Sequence, residues 1–114
     1  MHSELKRIFG TSIAVGTENV PTAHLRYRGK SNKFLTWQII GADPRLSADD
    51  EQIESAYEVD LDFFSDGDYT EMQAAGKALM KQNGYVWVED SPEMYEEDTG
   101  LYHITSTFEK GRSL

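Results

Sequence analysis

Apolar positions Leu5, Ile8 and Phe9 recur at the i, i+3, i+4 spacing of one helix face, with Ser3 placed as a cap and Gly10 as a stop. The spacing predicts a short helix over residues 3–9. It must dock on a sheet or on a neighbouring subunit, because isolated helices below about 12 residues are marginal. Residues 11–22 mix Gly, Thr, Asn and Pro21 as a connection does, although residues 12–15 are able to pair as a brief strand. Alternation over 23–28, turn residues Gly29, Lys30, Ser31 and Asn32, and a β-branched and aromatic run over 34–40 together predict a hairpin. Over 41–50, Gly41, Pro44, Ser47 and several charges interrupt both periods, which predicts a long exposed loop.

The clearest strand pattern lies in 57–63, where Tyr57, Val59, Leu61 and Phe63 alternate with Glu58, Asp60 and Asp62. One face is apolar and the other acidic. Asp68 followed by Glu71 is a variant of the capping box, and Met72, Ala75, Gly76, Leu79 and Met80 then trace one face of the main helix. Lys77 and Lys81 sit toward its C-terminal end, where the helix dipole favours cations, and Gly84 stops it. Two more strands are predicted at 85–88 and 101–108, separated by an acidic segment with Pro92 and Gly100 as breakers, and residues 110–114 read as a frayed end. The order α, β, β, β, α, β, β has no βαβ alternation and no repeat. It predicts one α+β domain over residues 1–114: a mostly antiparallel sheet, one main helix packed on a face and a short N-terminal helix.

Composition narrows the possible functions. A chain of 114 residues is long enough for one core, hiding roughly 60 to 70% of the surface its unfolded form would expose. Its 20 acidic against 11 basic residues give a net charge of -9, which repels phosphate backbones and anionic lipids, so neither sequence-specific nucleic-acid binding nor membrane binding is expected. Cysteine is absent, which removes disulfides, thiolate metal sites and a cysteine nucleophile. The first residues lack the apolar run of a signal peptide, and no segment approaches the roughly 18 apolar residues of a membrane span, so synthesis and residence in the cytoplasm are expected.

Two constellations invite chemistry. Asp60, Asp62, Ser65, Asp66, Gly67 and Asp68 suggest a calcium loop, but with Gly67 in the sixth position Phe64 occupies the third and Gln73 the twelfth, where a bidentate Glu is required. An acidic strand face followed by a turn and a helix cap accounts for them. His103 lies near Glu96, Glu97 and Asp98 in sequence, the raw material of a general base or a metal site. Only His2 and His24 remain as further nitrogen ligands, and no Ser or Thr sits in a nucleophile turn, so a structural histidine is expected. Glycine-rich phosphate loops are absent. The aromatics Tyr27, Phe34, Trp37, Tyr85, Trp87, Tyr102 and Phe108 lack the cationic groove of a single-strand platform and are assigned to sheet-on-helix core, with a minority at a protein interface. No catalytic, cofactor or metal residue is predicted, and the protein is expected not to be an enzyme.

The second half carries a resemblance. Val59-Asp60-Leu61-Asp62-Phe63-Phe64-Ser65-Asp66-Gly67-Asp68-Tyr69, the helix end Lys77-Ala78-Leu79-Met80-Lys81-Gln82-Asn83-Gly84-Tyr85, and Tyr95-Glu96-Glu97-Asp98-Thr99-Gly100-Leu101-Tyr102-His103 resemble small tail-completion proteins of tailed bacteriophages and prophages of Gram-positive bacteria. Phe34-Leu35-Thr36-Trp37 and the acidic stretch 47–51 extend the likeness to residues 22–108, and the N-terminal third departs from it. The resemblance implies a tail terminator, a virion protein made in the host bacterial cytoplasm. Such a protein forms a ring, typically a hexamer, that caps the tail tube, stops its polymerisation and offers a docking surface to the head-closure complex. The implied partners are further copies of the chain, the tube protein and the head-closure or connector protein. Within that role, Asp43, Arg45, Asp49, Asp50 and Glu51, in residues 43–54, are the candidate loop for an axial partner. Glu58, Asp60 and Asp62 are candidate acids facing a channel through which DNA slides. The alternatives are another neck or connector protein, or a prophage module that binds a host protein without a ring.

Overall fold

The computed structural model describes residues 2–44 and 55–112. Helix α1, His2–Phe9, buries Leu5 and Phe9 one turn apart. It ends where Gly10 takes φ +57° and returns its amide to the Lys6 carbonyl at 2.7 Å, a left-handed stop that suits glycine. The helix is also tied at its start: Glu4 accepts the Tyr85 hydroxyl at 2.6 Å and the Lys110 ammonium at 3.1 Å. Its docking partner is therefore the chain's own sheet and core.

Strands β1, Ser12–Val15, and β2, Glu18–His24, form an antiparallel hairpin in the stretch that composition marks as a connection. Gly16, at φ +63°, supplies the positive φ that a two-residue hairpin loop demands. Strand β3, Lys33–Pro44, then runs parallel to β2, with Thr22 opposite Leu35 and His24 opposite Trp37. The expected hairpin between 23–28 and 34–40 is thus not formed. Leu25 at φ +66° turns the chain out of β2, and the overlap is only three residue pairs, so the short return through 25–32 replaces the dozen or more residues of a full parallel crossover. Tyr27 fastens that return by stacking on Phe34 at 4.4 Å and accepting the Ser31 amide at 3.0 Å.

Strand β4, Ser55–Ser65, pairs antiparallel with all of β3, from Lys33 opposite Ser65 to Pro44 opposite Ser55. The residues 41–44 assigned to a loop are strand instead. A bulge between Ile39 and Gly41 absorbs Ile40, so the pairing survives the break in alternation that suggested a loop. Helix α2, Thr70–Gln82, follows. Its first turn is held by Asp68, whose Oδ1 accepts the Thr70 amide at 2.9 Å, while the residue at the cap position is Tyr69 and makes no side-chain cap bond. The reciprocal capping box expected from Asp68 and Glu71 is replaced by this single Asx bond.

Strands β5, Val86–Asp90, β6, Met94–Glu96, and β7, Leu101–Arg112, complete the sheet. The short strand β6 lies inside the acidic stretch predicted as a connection, and β7 continues to Arg112 opposite Ser55 where fraying was expected. The order is β1-β2-β3-β4-β7-β5, with β6 on β7 beside the far end, and among the described residues only the β2–β3 pair is parallel. The result is the α+β architecture expected, a mostly antiparallel sheet with both helices on one face.

The core lies between that face and the helices. Leu35, Trp37, Val59, Leu61, Phe63, Ile104 and Phe108 point inward from β3, β4 and β7, against Leu5, Phe9, Met72 and Met80 from the helices. Gly76 is a point of close approach: a Cβ there would lie 2.8 Å from the Phe63 ring, so glycine lets α2 reach the sheet.

Candidate interaction surfaces

Three surfaces carry the side chains that packing leaves over. The first is the face of β4 turned away from the helices, which brings together all three acids predicted to share it. Asp62 Oδ1 accepts the Thr105 hydroxyl at 2.5 Å and lies 3.0 Å from His103 Nε2, and Asp60 Oδ1 accepts the Thr107 hydroxyl at 2.7 Å. The register dictates these pairs, since Asp62 is opposite Thr105 and Asp60 opposite Thr107 across the β4–β7 ladder. Burial pushes the Asp60 carboxyl above the usual carboxylate range, the Thr107 hydrogen bond pulls it back in part, and neighbouring Asp62 and Glu89 add to the rise. Glu58, opposite Glu109, continues the row.

His103 belongs to this surface. Besides Asp62 it has Glu96 Oε2 at 3.9 Å from its Nδ1, and its ring stacks on Phe64 at 4.1 Å. Its carboxylate contacts are thus Asp62 and Glu96, not the Glu97 or Asp98 that sequence proximity suggested. Phe64 stacks in turn on Phe34 at 4.6 Å, giving a stripe Tyr27–Phe34–Phe64–His103 across the outer face. Among the described residues, no group of three or more His, Cys, Asp or Glu side chains is arranged to hold a metal. Around the calcium-like turn, Ser65 Oγ accepts the Gly67 amide at 3.1 Å, the turn role expected, and Asp68 holds the start of α2 through its Asx bond from one residue before the cap position.

The second surface is the rim formed by β5. Val86 is 66% exposed, Trp87 51% and Val88 40%, so Trp87, placed in the group of core and interface aromatics, stands at the surface while Trp37 and Phe108 are buried. Trp87 is nevertheless held in place. Its indole N–H donates to Asp90 Oδ1 at 2.9 Å, and the Lys77 ammonium lies 4.7 Å from its ring centroid. Asp90 is the hub: it also receives Lys77 at 2.9 Å and Ser106 at 2.6 Å. Burial pushes its carboxyl up, but the bonds from Ser106, Lys77 and Trp87 outweigh burial and leave it below the usual range. The uninterrupted apolar triplet Val86-Trp87-Val88, which does not alternate, was the available signal for a bulged rim rather than a half-buried strand.

The third surface is the opposite rim. There β1, α1 and α2 enclose a groove of about 450 Å³ lined by Ile8, Ile13, Ala75, Ala78, Leu79 and Gln82. Of the predicted partner loop, Asp43 lies in β3, and Arg45, Asp49, Asp50 and Glu51 fall outside the described residues. Among the described residues no helix is long and apolar enough to cross a membrane.

No protein-family pattern matches the chain, and no curated protein sequence matches it. Among solved structures, seven chains match. One is a chain of the virion of a native gene transfer agent particle, similar over 96% of this chain and 84% of that one, with a TM-score of 0.56 and 11% sequence identity. At that identity the likeness is one of fold.

Proposed function

We propose that the chain is a non-catalytic structural subunit of a phage-like particle, specifically a tail terminator that assembles as a ring on the end of the tail tube. The observation that carries this reading is the fold shared, over nearly the whole chain, with a component of a gene transfer agent virion. The sequence resemblance to tail-completion proteins points the same way from a different direction. In this reading the ring, a hexamer, stops tube polymerisation and presents a docking face to the head-closure protein, and the chain resides at the tail neck after synthesis in the host cytoplasm. Residues 43–54, of which only 43 and 44 are among the described residues, are the segment that contacts the tube protein in this reading. Glu58, Asp60 and Asp62 face the channel, where like charge keeps DNA sliding rather than bound. Asp60 and Asp62 also brace β7 through Thr107, Thr105 and His103, so their acidity and their structural role are joined.

Electron microscopy of particles made without this chain tests the reading through tail length. Overlong, headless tails are the expected result. Tails of normal length that fail to join heads would replace it with a neck connector, and intact particles would remove the virion role.

A further inference from the structure

We propose that the two rims of the sheet are the two halves of one subunit contact: β5 of one copy adds to β1 of the next as an antiparallel strand, seating Trp87 in the groove beside α2. The inference rests on the ring reading and specifies its joint. Among the described residues β5 pairs only with β7 and β1 only with β2, so each has an edge with no strand beside it. Open edges of this kind are templates for strand addition. Natural edge strands are usually guarded by charge, yet Ser12-Ile13-Ala14-Val15 carries none and β5 confines its two acids, Glu89 and Asp90, to its C-terminal end, in a chain whose net charge of -9 otherwise repels its own copies.

Shape and charge select the partner and the direction. Ile13 and Trp87 both lie on the helix side of the sheet, so placing Trp87 opposite Ile13 sets Val86 opposite Ala14 and, allowing for the bulge at Val88, Glu89 opposite Ser12. That register brings the projecting indole to the groove lined by Ile8, Ala75, Ala78 and Leu79. The antiparallel direction also carries exposed Glu89 toward the last turn of α1, where Lys6 and Arg7 are exposed, whereas a parallel one carries it toward Glu18. The indole needs little ordering on contact, because Asp90 and Lys77 already hold it. Because the patches differ, the contact is heterologous and propagates head to tail, closing as a ring or continuing as an open chain.

The absence of cysteine makes the joint directly testable. Ala14→Cys and Val86→Cys are made in separate full-length chains, checked for unchanged melting, and oxidised alone and mixed. Residues directly opposite in an antiparallel pair have Cβ atoms roughly 4.5–5.5 Å apart, within reach of a disulfide after slight adjustment. The mixture is expected to give a dimer containing one chain of each kind, and neither variant alone is expected to dimerise. Adding Trp87→Ala to the Val86→Cys chain is expected to cut the yield about tenfold, as loss of an interface anchor does. Dimers from Val86→Cys alone, or no cross-link in the mixture, overturn the joint. Native mass spectrometry of the unmodified chain separates the two readings: rings without the cross-link refute the joint but keep the ring, and the cross-link with open chains only refutes the ring but keeps the joint.

Discussion

The two faces of β4 come from alternate residues of one strand and are held by different physics. Inward, Val59, Leu61 and Phe63 are fully buried, and their contribution is the area withdrawn from water and the fit against α2. Outward, Asp60 and Asp62 keep partial access to solvent, and each depends on a particular hydroxyl or imidazole supplied by β7. The inner face tolerates any apolar residue of about the right size and resists a loss of volume. The outer face tolerates changes of size and resists a change of register or of hydrogen-bonding capacity. A surface reserved for assembly belongs on the second kind of face or on a rim, because there a side chain can alter without emptying the core.

The sharpest way to break the contrast is to hollow the inner face. Phe63→Ala is expected to lose about 3–5 kcal/mol of stability, enough to unfold much of a domain of ordinary stability, and a denaturant titration showing less than about 1 kcal/mol would mean the core is not where it has been placed. Gly76→Ala should come next. It drives a methyl into Phe63, costing about 1–3 kcal/mol by overpacking, although alanine alone would favour a helix by about 1 kcal/mol. A raised thermal midpoint would show that the helix has room to back away.

On the outer face, Asp62→Ala strands His103 and the Thr105 hydroxyl together and is expected to lower stability by about 1–2 kcal/mol, while Asp62→Asn keeps the acceptor and loses less. Equal losses from the two would show that charge rather than hydrogen bonding matters there. The smallest effect, of opposite sign, is expected at Asp60. Its carboxyl is raised by burial, so above its folded-state pKa the charged form opposes folding; that penalty shrinks as pH falls through the folded-state value and is gone below the unfolded value of about 3.9. Asp60→Asn should therefore raise the melting temperature at neutral pH, with the gain shrinking toward zero in acid. A lower midpoint at neutral pH would contradict this.

Much of the architecture was legible from local pattern. The alternation of 57–63 placed the core face of β4 and its acids correctly, and the i, i+3, i+4 positions of α2 placed Met72, Gly76 and Met80 against the sheet. What escaped were the pairings. The hairpin expected across Gly29 became a parallel return, because the partner of residues 22–24 is decided by where the β1–β2 hairpin lies, and a single left-handed residue, Leu25, redirects the chain. The strand residues 41–44 were hidden by Gly41 and Pro44, whose breaking tendency is overridden by continuous pairing with β4. The partners of His103 were sought nearby in sequence, which found Glu96 at 3.9 Å but not Asp62, the nearer one at 3.0 Å, which arrives from the neighbouring strand.

By itself, then, the sequence determined which residues must leave water, which strand is acidic on one side, where the main helix lies, and that the chain carries a net charge of -9. These depend on composition and on periods of two and 3.6 residues, which neighbours along the chain impose. Only the tertiary structure decided the strand order, the parallel pair, the bond from Asp62 to His103 and the two open rims. Each of those depends on contacts between residues far apart in sequence, and the entropy of closing such loops is recovered by packing that no local pattern encodes.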